Sequence, residues 1–222
     1  MIKALFASLL LTLPLLADQP DPDPARFAKE IAAFDAQDET SPPEKGGIVF
    51  SGSSSIRLLD IPKIFPGLTA LNRGFGGCEI SDLNHYLERV LLRYEPSLVI
   101  FFCGANDLWK NKSPEQVEDD FNEYTHRLFE VSPDAKLLIL AIRPSPARKK
   151  IRATEAAMNQ RFAKIAEADP RISYLPESWD RFLDANGNCI PELYVDDQLH
   201  MSDAGYAIWK EILTPHLPPV AP

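Results

Sequence analysis

The chain has 222 residues, 45% of them hydrophobic, and a formal net charge of −9. That is enough apolar material for one substantial core, and no long polar tract points to disorder. The acidic balance argues against nucleic acid or an anionic membrane surface as a partner, and three scattered cysteines exclude a disulfide scaffold or a CxxC-type zinc site.

Residues 1–17, MIKALFASLLLTLPLLA, place Lys3 ahead of an apolar run from Ala4 to Leu16 and end on the small residue Ala17. This is the pattern of a secretory leader. The run is shorter than the roughly 20 residues that span a bilayer, and Pro14 interrupts it. Cleavage near Ala17 is therefore expected, with a secreted or periplasmic product that has no stable membrane insertion. Residues 18–24, DQPDPDP, alternate prolines that forbid a helix and read as an extended tether. Residues 25–222 read as one domain.

Within that domain helical and strand periods alternate. Phe27, Ile31 and Phe34 fall at helical spacing, and Ile48, Val49 and Phe50 form a short apolar run between Gly-Gly and Ser-Gly. Leu68 to Leu71 reads as a second, weaker strand. Ile80, Leu83, Leu87, Val90 and Leu91 stripe a helix that ends near Tyr94. Leu98 to Phe102 is apolar on both faces, as in a strand covered by helices on each side; Cys103 follows as a buried apolar residue. Ser113 and Pro114 supply an N-cap and first turn for a helix carrying Val117, Phe121, Tyr124 and Leu128. Leu137 to Ile142 repeats the buried-strand signature. A helix with Met158, Phe162 and Ile165 precedes a strand at Ile172 to Leu175, and Tyr206, Trp209, Ile212 and Leu213 mark the last helix, with Ser202 as its cap. Five strands separated by helices imply a parallel sheet in a three-layer α/β/α sandwich, in which reactive groups collect beyond the C-terminal ends of the strands.

Three loops meet that condition. Gly52 to Ser55 follows the first strand; a flexible serine-rich linker is the bland reading, but a strand ends at Phe50 and a packed short helix starts near Ile56. A serine nucleophile needs a base, and the base an orienting group. Of the four histidines, His85 and His126 lie inside helices and His216 among prolines near the C-terminus. His200 instead follows Asp197 by three residues in VDDQLH, with Asp196 as a spare acid. The loop NRGFGG brings Gly74, Gly76 and Gly77, which permit close approach of backbone N–H groups, and CGAND brings Asn106, whose amide can donate to an oxyanion. Each block alone has an ordinary turn or capping explanation. Neither a GxGxxG loop nor a P-loop lysine is present, which argues against a flavodoxin-like cofactor binder. Trp109, Arg143 and Phe75 are candidate pocket walls.

Taken together and in order, GSS after strand one, NRGFGG after strand two, GAND after strand three and DQLH before the last helix resemble the SGNH hydrolase superfamily, the GDSL-type esterase/lipase family, from about Gly47 to Trp209. The resemblance implies a flavodoxin-like SGNH hydrolase fold with a five-stranded parallel sheet, and a carboxylic-ester hydrolase without metal or organic cofactor. It implies Ser54 as nucleophile, His200 as base and Asp197 as its partner, with Ser54, Gly77 and Asn106 as the oxyanion hole. Ser53 stands where the family name has Asp. The implied substrate is a small-molecule or carbohydrate-linked ester: acetylated carbohydrate, short-chain ester or lysophospholipid. A non-catalytic glycan-binding protein on the same fold is the rival reading, and a monomer is expected because no long exposed apolar element is evident. The sequence leaves open whether Cys78 and Cys189 are bridged.

Overall fold

The computed structural model describes residues 18–219; the leader read at residues 1–17 lies outside the described residues. Short apolar runs become β1 (Ile48–Gly52), β2 (Ala70–Gly74), β3 (Leu98–Phe102), β4 (Lys136–Leu140) and β5 (Ile172–Leu175). All pair in parallel, in the order β2-β1-β3-β4-β5. The helices in chain order are α1 (Ala28–Thr40), α2 (Ser54–Arg57), α3 (Ile61–Ile64), α4 (Ile80–Val90), α5 (Ala105–Trp109), α6 (Pro114–Val131), α7 (Arg152–Ala168), α8 (Glu177–Asp180) and α9 (Asp203–Leu213).

The two-residue period of a strand sends neighbouring side chains to opposite faces, and both faces here are covered. Val99, Phe101, Leu137 and Ile139 pack with residues of α4, α6 and α7, whereas Ile100, Phe102, Leu138 and Leu140 pack with α3 and α9. The expected three-layer sandwich is the observed one.

Boundaries differ where polar chemistry overrides pattern. The second strand lies at Ala70–Gly74 rather than Leu68–Leu71, because Leu68 closes a turn on Phe65 (N–H to O 3.0 Å). Asn72 donates to the Ile56 and Leu59 carbonyls at 2.6 and 3.0 Å. Arg73 is buried, with Nε on the Tyr94 hydroxyl at 2.9 Å and its guanidinium paired to Asp38. A buried arginine carries no strand signal in a hydrophobicity pattern. The helix expected to reach Tyr94 stops at Val90 and continues as a 3-10 turn, Leu92–Tyr94.

Residues 18–23 lie extended on the body of the domain. Lys112 Nζ bonds Asp21 at 2.6 Å, Gln19 and Gln116 exchange hydrogen bonds, and the Tyr86 hydroxyl donates to the Pro24 carbonyl at 2.9 Å.

In this strand order β1 has β2 on one side and β3 on the other, so the chain leaves β1 and β3 in different directions. A crevice opens where it does so, at the C-terminal ends of those strands. The turn out of β1 is tight. Gly52 has φ +152°, a Cβ on it would lie 2.1 Å from the Phe102 carbonyl oxygen, and the next amide, Ser53 N–H, donates to that same oxygen at 3.1 Å. Gly52→Ala is therefore expected to lose on the order of 3 kcal/mol or more of stability, read from urea unfolding; a variant within 0.5 kcal/mol of wild type, on the scale typical of surface changes, would contradict this packing.

Candidate active site

The turn at Gly52 makes Ser54 the first residue of α2, and the buried side chain of Ile56 anchors that short helix to the core. On the opposite wall, residues Tyr194 to Met201 fold back on themselves: Tyr194 bridges Met201, Val195 N–H donates to the His200 carbonyl at 3.0 Å, and Gln198 takes φ 57°. Inside this loop Asp197 Oδ1 accepts from the backbone N–H of Leu199 and of His200, both at 2.8 Å, and Oδ2 lies 2.6 Å from His200 Nδ1. His200 Nε2 lies 2.9 Å from Ser54 Oγ. An ionised carboxylate only accepts, so Nδ1 carries the proton and Nε2 is left to accept from the serine hydroxyl. Burial alone would raise the Asp197 carboxyl, but the His200 ring and the two backbone N–H donors outweigh it and hold it at about 2, below the ordinary 3.8. Asp197 is thus ionised wherever an enzyme would work, and its contribution to the fold is lost only as pH falls from 3.8 through about 2. Asp196 takes no part in this chain of bonds.

A guanidinium joins the two walls. Arg143, beyond the end of β4, is buried, and its Nη2 donates to Ser55 Oγ at 3.2 Å and to the Leu199 carbonyl at 2.7 Å. The rings of Phe102, Phe182 and Tyr194 surround it with centroids 5.6 to 5.9 Å away. The Tyr206 hydroxyl adds a bond to the Ser55 carbonyl at 2.9 Å.

The third wall comes from the loops after β2 and β3. Asn106 donates from Nδ2 to the Cys78 carbonyl at 2.8 Å, and its Oδ1 accepts from Arg148 Nη2 at 2.7 Å. These two bonds fix which end of the amide faces which way. Asp107 next to it ties the same two loops, its Oδ1 accepting from Ile80 N–H at 3.0 Å. Gly77, with φ +87°, precedes the Cys78 carbonyl that holds Asn106, but it does not line the pocket itself. Arg148 stacks near Trp109, with its Cζ 5.6 Å from the ring centroid.

Ser54, His200, Asn106, Arg143, Arg148 and Glu155 line one pocket. It is narrow: the space open to the centre of a water molecule is only about 20 Å³, room for one or two small groups. Glu155, at 1% exposure, has neither carboxyl oxygen hydrogen-bonded. Burial pushes it up to about 7 against the opposing pull of Arg148, Arg143 and Arg152.

The sequence-derived candidates fall into two groups. Ser54, Asp197, His200 and Asn106 converge, with Gly77 adjacent through Cys78. Of the suggested walls Arg143 lines the pocket and Trp109 backs Arg148, whereas Phe75 is buried in the core against Phe27 and Tyr86. Ser145, Arg148 and Glu155 were not singled out by the sequence reading; the run of cations around Arg148 was the available signal. Cys78, Cys103 and Cys189 are all free thiols. Among the described residues no cluster of three or more His, Cys, Asp or Glu could hold a metal, and no helix is long and apolar enough to cross a membrane.

A hydroxyl, an imidazole and a carboxylate bonded in series can pass the hydroxyl proton to the ring while the oxygen attacks an electrophile. The fold is a parallel α/β sandwich with this serine just beyond the end of its first strand. Residues 60–208 match the model of the GDSL-like Lipase/Acylhydrolase family, and the chain belongs to that family. The matched stretch begins beyond Ser54, so the geometry at that residue is independent support. No curated protein sequence matches the chain. Solved structures share the fold at low identity. A Streptococcus pneumonia protein named for platelet activating factor is 22% identical with TM-score 0.75, covering 85% of this chain and 91% of its own. A GDSL-like lipase from Bacteroides thetaiotaomicron is 19% identical with TM-score 0.69, covering 87% and 96%. A catalytic mutant of an acetylxylan esterase from Geobacillus stearothermophilus is 15% identical with TM-score 0.62, covering 78% and 94%.

The buried carboxyl gives a stability test. Because folding raises Glu155 from 4.5 to about 7, the folded state loses stability as pH rises through that window. Glu155→Gln should therefore gain roughly 2–3 kcal/mol relative to wild type between pH 4.5 and 7.5 in parallel denaturation curves; a pH-independent difference would contradict the burial.

Proposed function

We propose that the protein is a serine hydrolase of carboxylic esters with small acyl groups, acetyl foremost, working through an acyl-enzyme on Ser54. The observation that carries this reading is the 2.9 Å contact between His200 Nε2 and Ser54 Oγ, formed across 146 residues of chain. In the proposed cycle His200 takes the hydroxyl proton as Ser54 attacks the acyl carbon, then delivers it to the leaving alcohol. Asp197 holds the ring tautomer and stabilises the imidazolium. Water then attacks the acyl-enzyme with His200 again as base, returning the carboxylic acid and free serine.

The tetrahedral oxyanion would be held by the Ser54 N–H and by Asn106 Nδ2, with Gly77, which lies behind Cys78 and not on the pocket wall, able to join them only if its loop moves inward. One hydrogen of that amide is committed to the Cys78 carbonyl, and the second is available to the oxyanion. Each such donor is worth about 3–4 kcal/mol of barrier. Small acyl groups are favoured because the pocket beside Ser54 is confined by charged and hydroxylic side chains, Arg143, Arg148, Glu155 and Ser145, which suits a methyl and not a long chain. This argues against lysophospholipid. Export, through the leader pattern of residues 1–17, and a monomeric state belong to the same proposal and are supported by sequence alone.

Ser54→Ala is expected to abolish fluorophosphonate labelling and to lower kcat by at least about 10⁴-fold, with Asp197→Asn losing about 10³–10⁴-fold. Labelling that persists in the Ser54→Ala protein would reject the assignment. Across nitrophenyl acetate, butyrate and octanoate, kcat/KM should fall at least about 10-fold from the first to the last if the pocket holds no long chain; undiminished octanoate turnover would reject the small-acyl reading. A purified protein that binds glycan and cleaves no activated ester would favour the glycan-binding rival.

A further inference from the structure

The connection from β4 into α7 reads RPSPARKKIR over residues 143–152 and carries Arg143, Arg148, Lys149, Lys150 and Arg152 without one acid, in a chain of net charge −9. Several cations elsewhere meet carboxylates: Lys112 bonds Asp21 and Asp120, Arg89 and Arg93 pair with Asp35, and Arg161 pairs with Glu115 and Glu118. Here the contacts go to neutral groups. Arg143 bonds Ser55 Oγ and the Leu199 carbonyl, Arg148 bonds Asn106 Oδ1, and Arg152 bonds the Gly187 carbonyl and Cys189 Sγ. Lys150 Nζ stands 4.0 Å over the Trp109 ring, the same ring that Arg148 approaches. The acid facing the three guanidinium groups is Glu155, whose single carboxyl bonds none of them. Asp107 also acts on Arg148 from a distance, but two carboxyls against three guanidinium groups and the exposed Lys149 and Lys150 leave a positive edge at the pocket that holds Ser54.

We infer that this edge is an anion-binding subsite, and that the natural substrate is a small acyl ester of a negatively charged alcohol, of the kind an acidic carbohydrate bearing carboxylates would present. The inference rests on the reading of Ser54 as an esterase nucleophile and adds the nature of the alcohol. Two arguments put the charge on the alcohol. The pocket beside Ser54 is narrow, so the larger alcohol has to extend beyond it. Arg148, which lines that pocket, opens outward to the exposed Lys149 and Lys150, where a leaving group would project. Guanidinium groups bonded only to neutral acceptors, and the exposed ammonium groups of Lys149 and Lys150, can supply charge-assisted hydrogen bonds to an incoming oxyanion. A local positive field on an otherwise acidic protein also steers anions toward the site, an effect that salt suppresses. Trp109 offers an apolar surface beside these charges for the body of the alcohol.

The test uses a matched pair of acetyl esters, 4-acetoxybenzoate and methyl 4-acetoxybenzoate, which share the acyl group and differ in charge on the alcohol. For wild type, kcat/KM for the anionic ester should fall at least about fivefold between roughly 20 and 300 mM salt, with the methyl ester changing less than about twofold. Lys149→Ala combined with Lys150→Ala should cost the anionic ester about 10-fold, mainly in KM, and leave the methyl ester as it was. Equal responses of the two esters to salt and to the double substitution would overturn the inference. Failure of the underlying esterase reading looks different: neither ester would be cleaved faster by wild type than by Ser54→Ala. The anion subsite is then decided by calorimetric titration of the Ser54→Ala protein. Tighter binding of the carboxylate that is lost in the double lysine variant supports it, and equal binding of the two esters overturns it.

Discussion

The site depends on a buried guanidinium that has no carboxylate partner. Arg143 reaches the serine loop through Ser55 Oγ and the histidine loop through the Leu199 carbonyl, so segments almost 150 residues apart in the chain are held at a fixed separation by one planar group. An arginine buried in this way would cost a great deal if its donors were idle. Two of its neighbours accept from it, and three aromatic rings present their faces within cation–π range. The desolvation is offset only in part, since Nε is buried without a partner, and the guanidinium bridges the neighbours of Ser54 and His200, Ser55 and Leu199. Both bonds leave one nitrogen, Nη2, while the flat face of the guanidinium lies among the three rings, a stacking surface that a lysine ammonium lacks.

The amide of Asn106 is constrained by a similar logic. Left alone, a side-chain amide can rotate to present oxygen or nitrogen to a ligand. Here the Cys78 carbonyl takes one N–H and Arg148 takes the oxygen, which leaves a single orientation. Arg148 in turn rests near Trp109, and Asp107 ties the underlying loops through Ile80. Three loops that follow three different strands are thereby locked to one another before any ligand arrives, which is the preorganisation that electrostatic stabilisation of an oxyanion requires. The pocket they enclose is small, and its lining mixes Phe102, Ala105 and Leu199 with hydroxylic and charged side chains.

Much of the architecture was legible because strand and helix periods were clean. Leu98–Phe102 and Ile172–Leu175 are strands at the boundaries their apolar runs suggest, and Ser113 and Ser202 cap the helices that follow them. The second strand was less legible, since Asn72 and the buried Arg73 serve loops and an ion pair in place of a hydrophobic face. Ser54, Asp197, His200 and Asn106 could be grouped from sequence because each sits in a short block beyond a strand or before a helix, where such side chains collect. Arg148 and Glu155 could not. Their proximity to Ser54 comes from how the β4–α7 connection folds back over the sheet rim, and local spacing holds no record of that path. Phe75 shows the converse error: a bulky residue beside a glycine loop looked like a wall and instead packs inward.

The docked segment at residues 18–24 bears on how the molecule presents itself. Asp21 ends on Lys112, which also contacts Ser81 and lies 3.9 Å from Asp107, the neighbour of Asn106. Whatever is joined ahead of Asp18, whether an affinity handle, a reporter domain or a surface tether, would emerge beside the rim where substrates arrive and not at the remote end of the sheet. A bulky group joined there would act as a visor over large polymeric esters while leaving small ones free to enter.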